Sequence, residues 1–154
     1  QNTASLDVTD IDKKLLANAA HINRNSPFPI NTFWHDFLDT PTTKKYDGIY
    51  LLDVLEHIDP TCEQQFVSNI VNSLLKNATL IIGIPCLESQ KYASYESKKG
   101  HINCKSQKNL KSFLDNFFNN VYMMSMNDEV LHTGYGPMSH YLFALCTSAK
   151  QNNA

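Results

Sequence analysis

Residues 46–54, YDGIYLLDV, form an almost continuously apolar run that stops abruptly at a cluster of ionisable groups, Asp53, Glu56 and His57. A run without polar alternation is what a strand covered on both faces of a parallel sheet needs. It constrains the chain more than any other segment, because parallel neighbours require long crossover connections, and helices normally supply them. The following residues provide one. Asp59 is placed to cap a helix with Pro60 at its first position, and Phe66, Val67, Ile70, Val71, Leu74 and Leu75 recur at helical spacing. Asn77 suits the exit from that helix, and ATLIIGIP, residues 78–85, is a second wholly apolar strand ended by Pro85.

The same alternation extends in both directions. SLDVT, residues 5–9, is β-prone, and Asp10 or Asp12 then offers an N-cap for a helix carrying Leu15, Leu16, Ala19 and Ala20 on one face. INTFWHDF, residues 30–37, is another strand candidate after a Pro-containing loop. Residues 86–105 show little periodicity and read as a loop with one short helix; Ser106 then caps a helix with Leu110, Phe113, Leu114, Phe117 and Phe118 on one face. VYMMSM and HYLFALC close the chain as two strands whose connection is too short for a parallel crossover, so they pair antiparallel. The pattern predicts an α/β fold, a mostly parallel sheet with an antiparallel C-terminal hairpin, and ligands bound beyond the carboxyl ends of the strands. It predicts a single domain over residues 1–146 and a polar tail over 147–154.

A chain of 154 residues buries roughly 70% of the surface it exposes when unfolded, so the core needs no covalent staples. Thirteen Lys and Arg against fifteen Asp and Glu give a formal charge of −2, with no dense basic run, which argues against nucleic acid as a partner. Cys62, Cys86, Cys104 and Cys146 are widely spaced and read as reduced thiols, and no apolar run approaches the roughly 20 residues of a membrane span. A cytoplasmic location is the expectation. The sequence does not fix the oligomeric state.

Acids follow three successive strands: Asp10, Asp36 and Asp53. Carboxylates at such an edge can accept the hydroxyls of a ribose and the amino group of an adenine, which outlines a nucleoside site, although an Asp after a strand is also a common cap or turn former. LDVTDIDKKLLANA, FWHDFLD and YDGIYLLDVLEHID resemble successive motifs of class I S-adenosylmethionine-dependent methyltransferases. GHINCKSQKNLKSFL is similar to the stretch after the fifth strand in the branch that includes ubiquinone-biosynthesis O-methyltransferases. DVLEH is the most specific of these segments.

The resemblance implies a Rossmann-like methyltransferase sheet, S-adenosyl-L-methionine as cofactor, and methyl transfer to oxygen or nitrogen of a small-molecule acceptor. By position, Asp10 matches the acid that holds the ribose hydroxyls, with Ile11 beside the adenine. Asp36 and Phe37 match the adenine edge, Leu52 and Asp53 the strand end along the methionine part, and Glu56 and His57 the pair near that site. A glycine-rich turn follows the first strand in that family and has no counterpart in residues 1–154. The resemblance therefore implies that the first strand and its turn are missing, that the chain is a fragment, and that it binds cofactor weakly by itself.

If the acceptor must lose a proton, His57 and His101 are the candidate bases, since imidazole titrates in the right range and KKGHIN would form a loop over the acceptor. A surface or loop-organising role for His101 is the competing reading. His21, His35, His132 and His140 read as structural or surface residues. No HxxxH, HxH or Cys/His spacing occurs, so no metal site is expected. The alternatives are a non-catalytic module that kept this fold without the cofactor and a nicotinamide-dependent enzyme, whose glycine fingerprint is absent.

Overall fold

The computed structural model describes residues 4–150. The chain separates into two compact units, Gln1–Thr40 and Pro41–Ala154. Residues 1–3 of the QNTAS start and residues 151–154 of the expected tail lie outside the described residues.

The first unit is one βαβ element. Strands β1 (Leu6–Asp10) and β2 (Ile30–Trp34) pair in parallel, from Leu6 opposite Ile30 to Asp10 opposite Trp34, and helix α1 (Lys13–Asn23) connects them. Asp12 is the N-cap: its Oδ1 accepts from the backbone N–H groups of Lys14 at 2.7 Å and Leu15 at 3.4 Å. Of the expected apolar face, Leu16 is buried while Leu15 remains exposed. Strand β2 stops at Trp34 rather than Phe37, because Asp36 folds into a turn in which its Oδ1 accepts from Leu38 N–H at 2.8 Å.

The second unit is built on β3 (Tyr46–Leu52), α2 (Glu63–Val71), β4 (Leu74–Pro85), α3 (Tyr95–Gly100), α4 (Gln107–Leu114), β5 (Phe118–Asn127), β6 (Val130–His132) and β7 (Tyr141–Ala149). Its five strands form one sheet in the order β3-β4-β7-β5-β6. β3 and β4 are parallel; β4 with β7, β7 with β5 and β5 with β6 are antiparallel, including the expected pairing of the last two long strands. Each unit has a parallel strand pair and helices, and the second adds antiparallel strands to its own sheet, so the fold is α/β. Leu80, Ile82 and Ile84 of β4, Leu142, Ala144 and Cys146 of β7, Val67 of α2, and Leu110 and Leu114 of α4 are all completely buried. Each large apolar side chain so buried stabilises by about 1.5–3 kcal/mol before entropy is counted.

Several boundaries differ from the sequence reading, each for a local reason. β3 is an edge strand of its sheet, so only Leu51 is buried along it and Tyr50 is 58% exposed. Helix α2 begins at Glu63, not Pro60, because Asp59 Oδ1 is taken by the N–H and hydroxyl of Thr61 in a preceding turn. It ends at Val71: Ser73 donates its N–H to Ile70 and its hydroxyl to the Asn69 carbonyl, and its own carbonyl accepts from Tyr46 N–H, so Leu74 and Leu75 open β4 instead of extending the helix. Asn77 accordingly lies within β4. Residues 86–105 hold a 3-10 helix over Leu87–Tyr92 besides α3. Helix α4 stops at Leu114, and Phe118 already belongs to β5.

In the final connection, Asp128 and Glu129 take φ values of 49° and 65° and turn the chain in two residues, which creates the short strand β6. β7 runs on to Ala149, three residues past the expected boundary at 146, with Thr147 opposite Thr79 and Asn120.

Candidate functional site

At the carboxyl end of β3 the chain leaves the sheet through Asp53, which sits in the left-handed region at φ 55°. A non-glycine residue there is uncommon and needs local support. Asp53 N–H supplies it, donating to the Gly83 carbonyl at 3.1 Å and to the Tyr141 hydroxyl at 3.0 Å. Tyr141 in turn hydrogen-bonds the Asp53 side chain; burial first, then that bond, push its phenol well above the usual range. Leu52 and Asp53, expected beside the methionine part of a cofactor, thus stand at a strand end fixed from β4 and β7.

A 3-10 turn over Leu55–His57 follows directly and presents Glu56 and His57. It is tied to a second segment, residues 100–105. Asn103 donates its backbone N–H to the Glu56 carbonyl at 2.9 Å and its side-chain amide to Glu63 Oε2 at 2.7 Å, and Lys105 pairs with Glu63 at 2.7 Å. The result brings His57 and His101 together, with ring centroids 5.2 Å apart and the planes at 66°.

Both rings are oriented by acceptors on one nitrogen. His57 Nδ1 lies 2.9 Å from the Gly100 carbonyl, and His101 Nδ1 lies 2.9 Å from Gln90 Oε1. Since those oxygens accept, each Nδ1 carries a proton, which leaves Nε2 as the basic nitrogen of each ring. Burial lowers the His101 pKa, and neighbouring His57 lowers it further, against an opposing pull from Asp53.

Glu56 is fully buried, with its own backbone N–H and the Asp53 side chain close to its carboxyl. Burial raises its pKa; its own backbone N–H and His57 oppose the rise, and Asp53 adds to it. Its Oε1 lies 3.8 Å from His57 Nε2. One ligand-type atom from each of Glu56, His57 and His101 falls within 4.8 Å of the others. The group is assembled by tertiary structure from segments 44 positions apart, which local spacing does not reveal.

The remaining predicted residues belong to the first unit. Asp10 ends β1 beside the end of β2, where His35 N–H donates to the Asp10 carbonyl at 3.4 Å and Trp34 Nε1 donates to the Ile11 carbonyl at 3.0 Å. Asp10 Oδ1 accepts from Asp12 N–H at 2.7 Å. Asp36 is engaged in the same manner with Leu38, leaving one oxygen of each carboxylate for a ligand, and the Phe37 ring meets His35 edge-on at 4.6 Å. Carboxylate oxygens so placed can accept from a ribose hydroxyl and from an amino group. Tyr141, Asn103 and Gln90 were not singled out from the sequence; GHIN, which contains Asn103, was the available signal for one of them.

The fold these elements define is the Rossmann-like fold of S-adenosylmethionine-dependent methyltransferases. The N-methyltransferase NodS from Bradyrhizobium japonicum WM9, in complex with S-adenosyl-L-homocysteine, superposes with a TM-score of 0.67 at 17% identity over 94% of this chain and 66% of its own. The CurJ carbon methyltransferase gives 0.71 at 14% identity over 95% and 42%, and the small RNA methyltransferase HEN1 gives 0.70 at 16% over 93% and 20%. The chain thus spans less than two thirds of the length of these structures. No protein-family model and no curated protein matches the sequence.

Proposed function

We propose that this chain takes part in S-adenosylmethionine-dependent methyl transfer to oxygen or nitrogen of a small-molecule acceptor. The observation that carries the reading is the convergence of Asp53, His57 and His101 at the carboxyl end of β3, the place where α/β sheets bind their ligands. The fold likeness supports the class of chemistry. It leaves the acceptor open, because similar structures carry N-, C- and RNA-methylating proteins. A small acceptor is favoured by the formal charge of −2 without a basic run.

Asp10 and Ile11 are assigned to the ribose and adenine, Asp36 and Phe37 to the adenine edge, and Leu52, Asp53 and His57 to the methionine part. When bound, the cofactor supplies an electrophilic methyl group on a sulfonium, and the protein's task is to hold the acceptor in line with it. His101, whose pKa burial lowers and whose ring Gln90 orients, is assigned to take a proton from the acceptor at Nε2, with His57 as the second candidate base.

Two variants test this in the longest open reading frame that contains the chain. Asp10→Ala removes charge-assisted bonds worth about 1.5–3 kcal/mol and should weaken S-adenosylhomocysteine binding accordingly; unchanged affinity refutes the ribose assignment. His101→Ala should lower turnover while sparing cofactor affinity, and equal loss of both would assign His101 a structural role instead.

A further inference from the structure

We infer that the outer edge of β5 is the interface of a two-fold dimer, in which a second copy of this chain adds its own β5 antiparallel to the first. β5 pairs with β7 along one side from Phe118 to Met126, while β6 covers the other side only over Ser125–Asn127. Phe118–Met124 therefore presents a row of main-chain donors and acceptors that meets no strand among the described residues. Natural edges of that kind are blunted by charge, proline, a bulge or shortness. None of these acts here. FNNVYMMSMN is 10 residues long with no charged residue and no proline, and its register with β7 runs without a shift.

The opposite edge of the same sheet, β3, is blunted. Its pairing with β4 shifts register between Tyr46 and Gly48, and it carries Asp47, with Asp53 just beyond its end. Two copies of β3 joined about Tyr50 would set Asp47 against the partner's Asp53, and like charges directly opposite are destabilising. Two copies of β5 joined within Phe118–Met124 oppose only uncharged side chains. No Lys or Arg lies between Lys111 and Lys150, so the edge has no cation to steer an acidic partner, and an identical uncharged strand matches it.

Side chains beside the edge supply area. Residues of β5 alternate between faces: Val121 and Ser125 are buried on one, and Tyr122, Met124 and Met126 lie on the other, where Leu131 stands directly opposite Met126. Tyr122 is 57% exposed and Tyr135, in the segment after β6, 72%; Val130, Leu131 and Met138 are each more than half exposed. At these exposures the two tyrosines alone offer roughly 200–300 Å². The aliphatic side chains and the edge main chain bring each copy toward the roughly 800 Å² per partner of a specific interface. A two-fold axis through β5 lays the apolar stripe of one copy beside that of the other, and the contact closes at two copies.

The test is sedimentation equilibrium of the 154-residue chain up to about 1 mM, which involves neither cofactor nor methyl acceptor. A mass twice 17.5 kDa is expected, with no larger species. Tyr122→Lys sets like charges close across the axis and should raise the dimer dissociation constant about tenfold or more. Leu131→Lys, on β6, gives the same readout if circular dichroism shows the first variant unfolded. Tyr50→Lys, on β3, should leave the constant unchanged. A monomer throughout, as expected if another protein's strand takes this edge, overturns the interface. So do masses that grow beyond two copies, an unchanged constant in folded Tyr122→Lys or Leu131→Lys, or dissociation caused by Tyr50→Lys.

Discussion

Gly83 sits near the carboxyl end of β4, opposite Leu52 on β3 and Phe143 on β7. A Cβ built on it would lie 2.7 Å from Leu52 Cδ2, 2.7 Å from Tyr141 Cε1 and 3.0 Å from Phe143 Cε1. Carbon atoms pack best at about 3.5–4.0 Å, so Gly83→Ala requires two aromatic rings and a leucine to yield by close to an ångström. The described glycines have no positive φ, which makes this a packing effect without backbone strain. Overpacking of that kind costs about 1–3 kcal/mol, and the usual preference for Ala over Gly within a strand returns about 0.5–1 kcal/mol. The net expectation is a loss of about 1–2 kcal/mol, read as a fall of about 3–8 °C in the thermal midpoint by circular dichroism. The same rings support Asp53, whose N–H bonds both the Gly83 carbonyl and the Tyr141 hydroxyl, so any ligand held at this strand end should bind more weakly too. A midpoint equal to or above that of the parent would refute the packing argument.

Asn103→Ala should destabilise by about 1–3 kcal/mol, because it strips Glu63 Oε2 of an amide donor and Lys105 of its Asn103 Oδ1 acceptor in a part-buried network; a change under about 0.5 kcal/mol in urea unfolding would show the network to be incidental. The buried thiols of Cys86 and Cys146 are pushed up from 9.0 to about 11 and about 12, chiefly by burial. A raised folded pKa favours the protonated thiol, so this stability is full below pH about 9 and is lost as pH rises through the folded values. Iodoacetamide should leave both thiols untouched in the native protein at pH 8, and the urea midpoint should fall between pH 9 and 12, less steeply in Cys146→Ala. Rapid native labelling of either would contradict this.

The alternation of strands and helices was legible because apolar runs and helical stripes are local patterns. What the sequence concealed lay where local patterns compete with tertiary ones. Leu74 and Leu75 continue a helical stripe yet belong to β4, since Ser73 closes α2 and hands its carbonyl to Tyr46. The run from Tyr46 reads as doubly covered, yet β3 is an edge in its own sheet, since composition does not record which neighbours pair. Asp53, Glu56 and His57 were visible as one cluster because they share a turn. Gln90, Asn103 and Tyr141 were not, because their roles depend on contacts across 11 to 88 positions of chain.

The central claim is most directly tested by calorimetric titration of S-adenosylhomocysteine into the 154-residue chain and into the longest open reading frame that contains it, each beside its Asp10→Ala variant. The account predicts saturable binding by the protein expressed from that reading frame, weakened about tenfold or more by Asp10→Ala. Absence of binding by both forms, with circular dichroism showing each to be folded, would contradict methyl transfer and leave a module that has this fold without the cofactor.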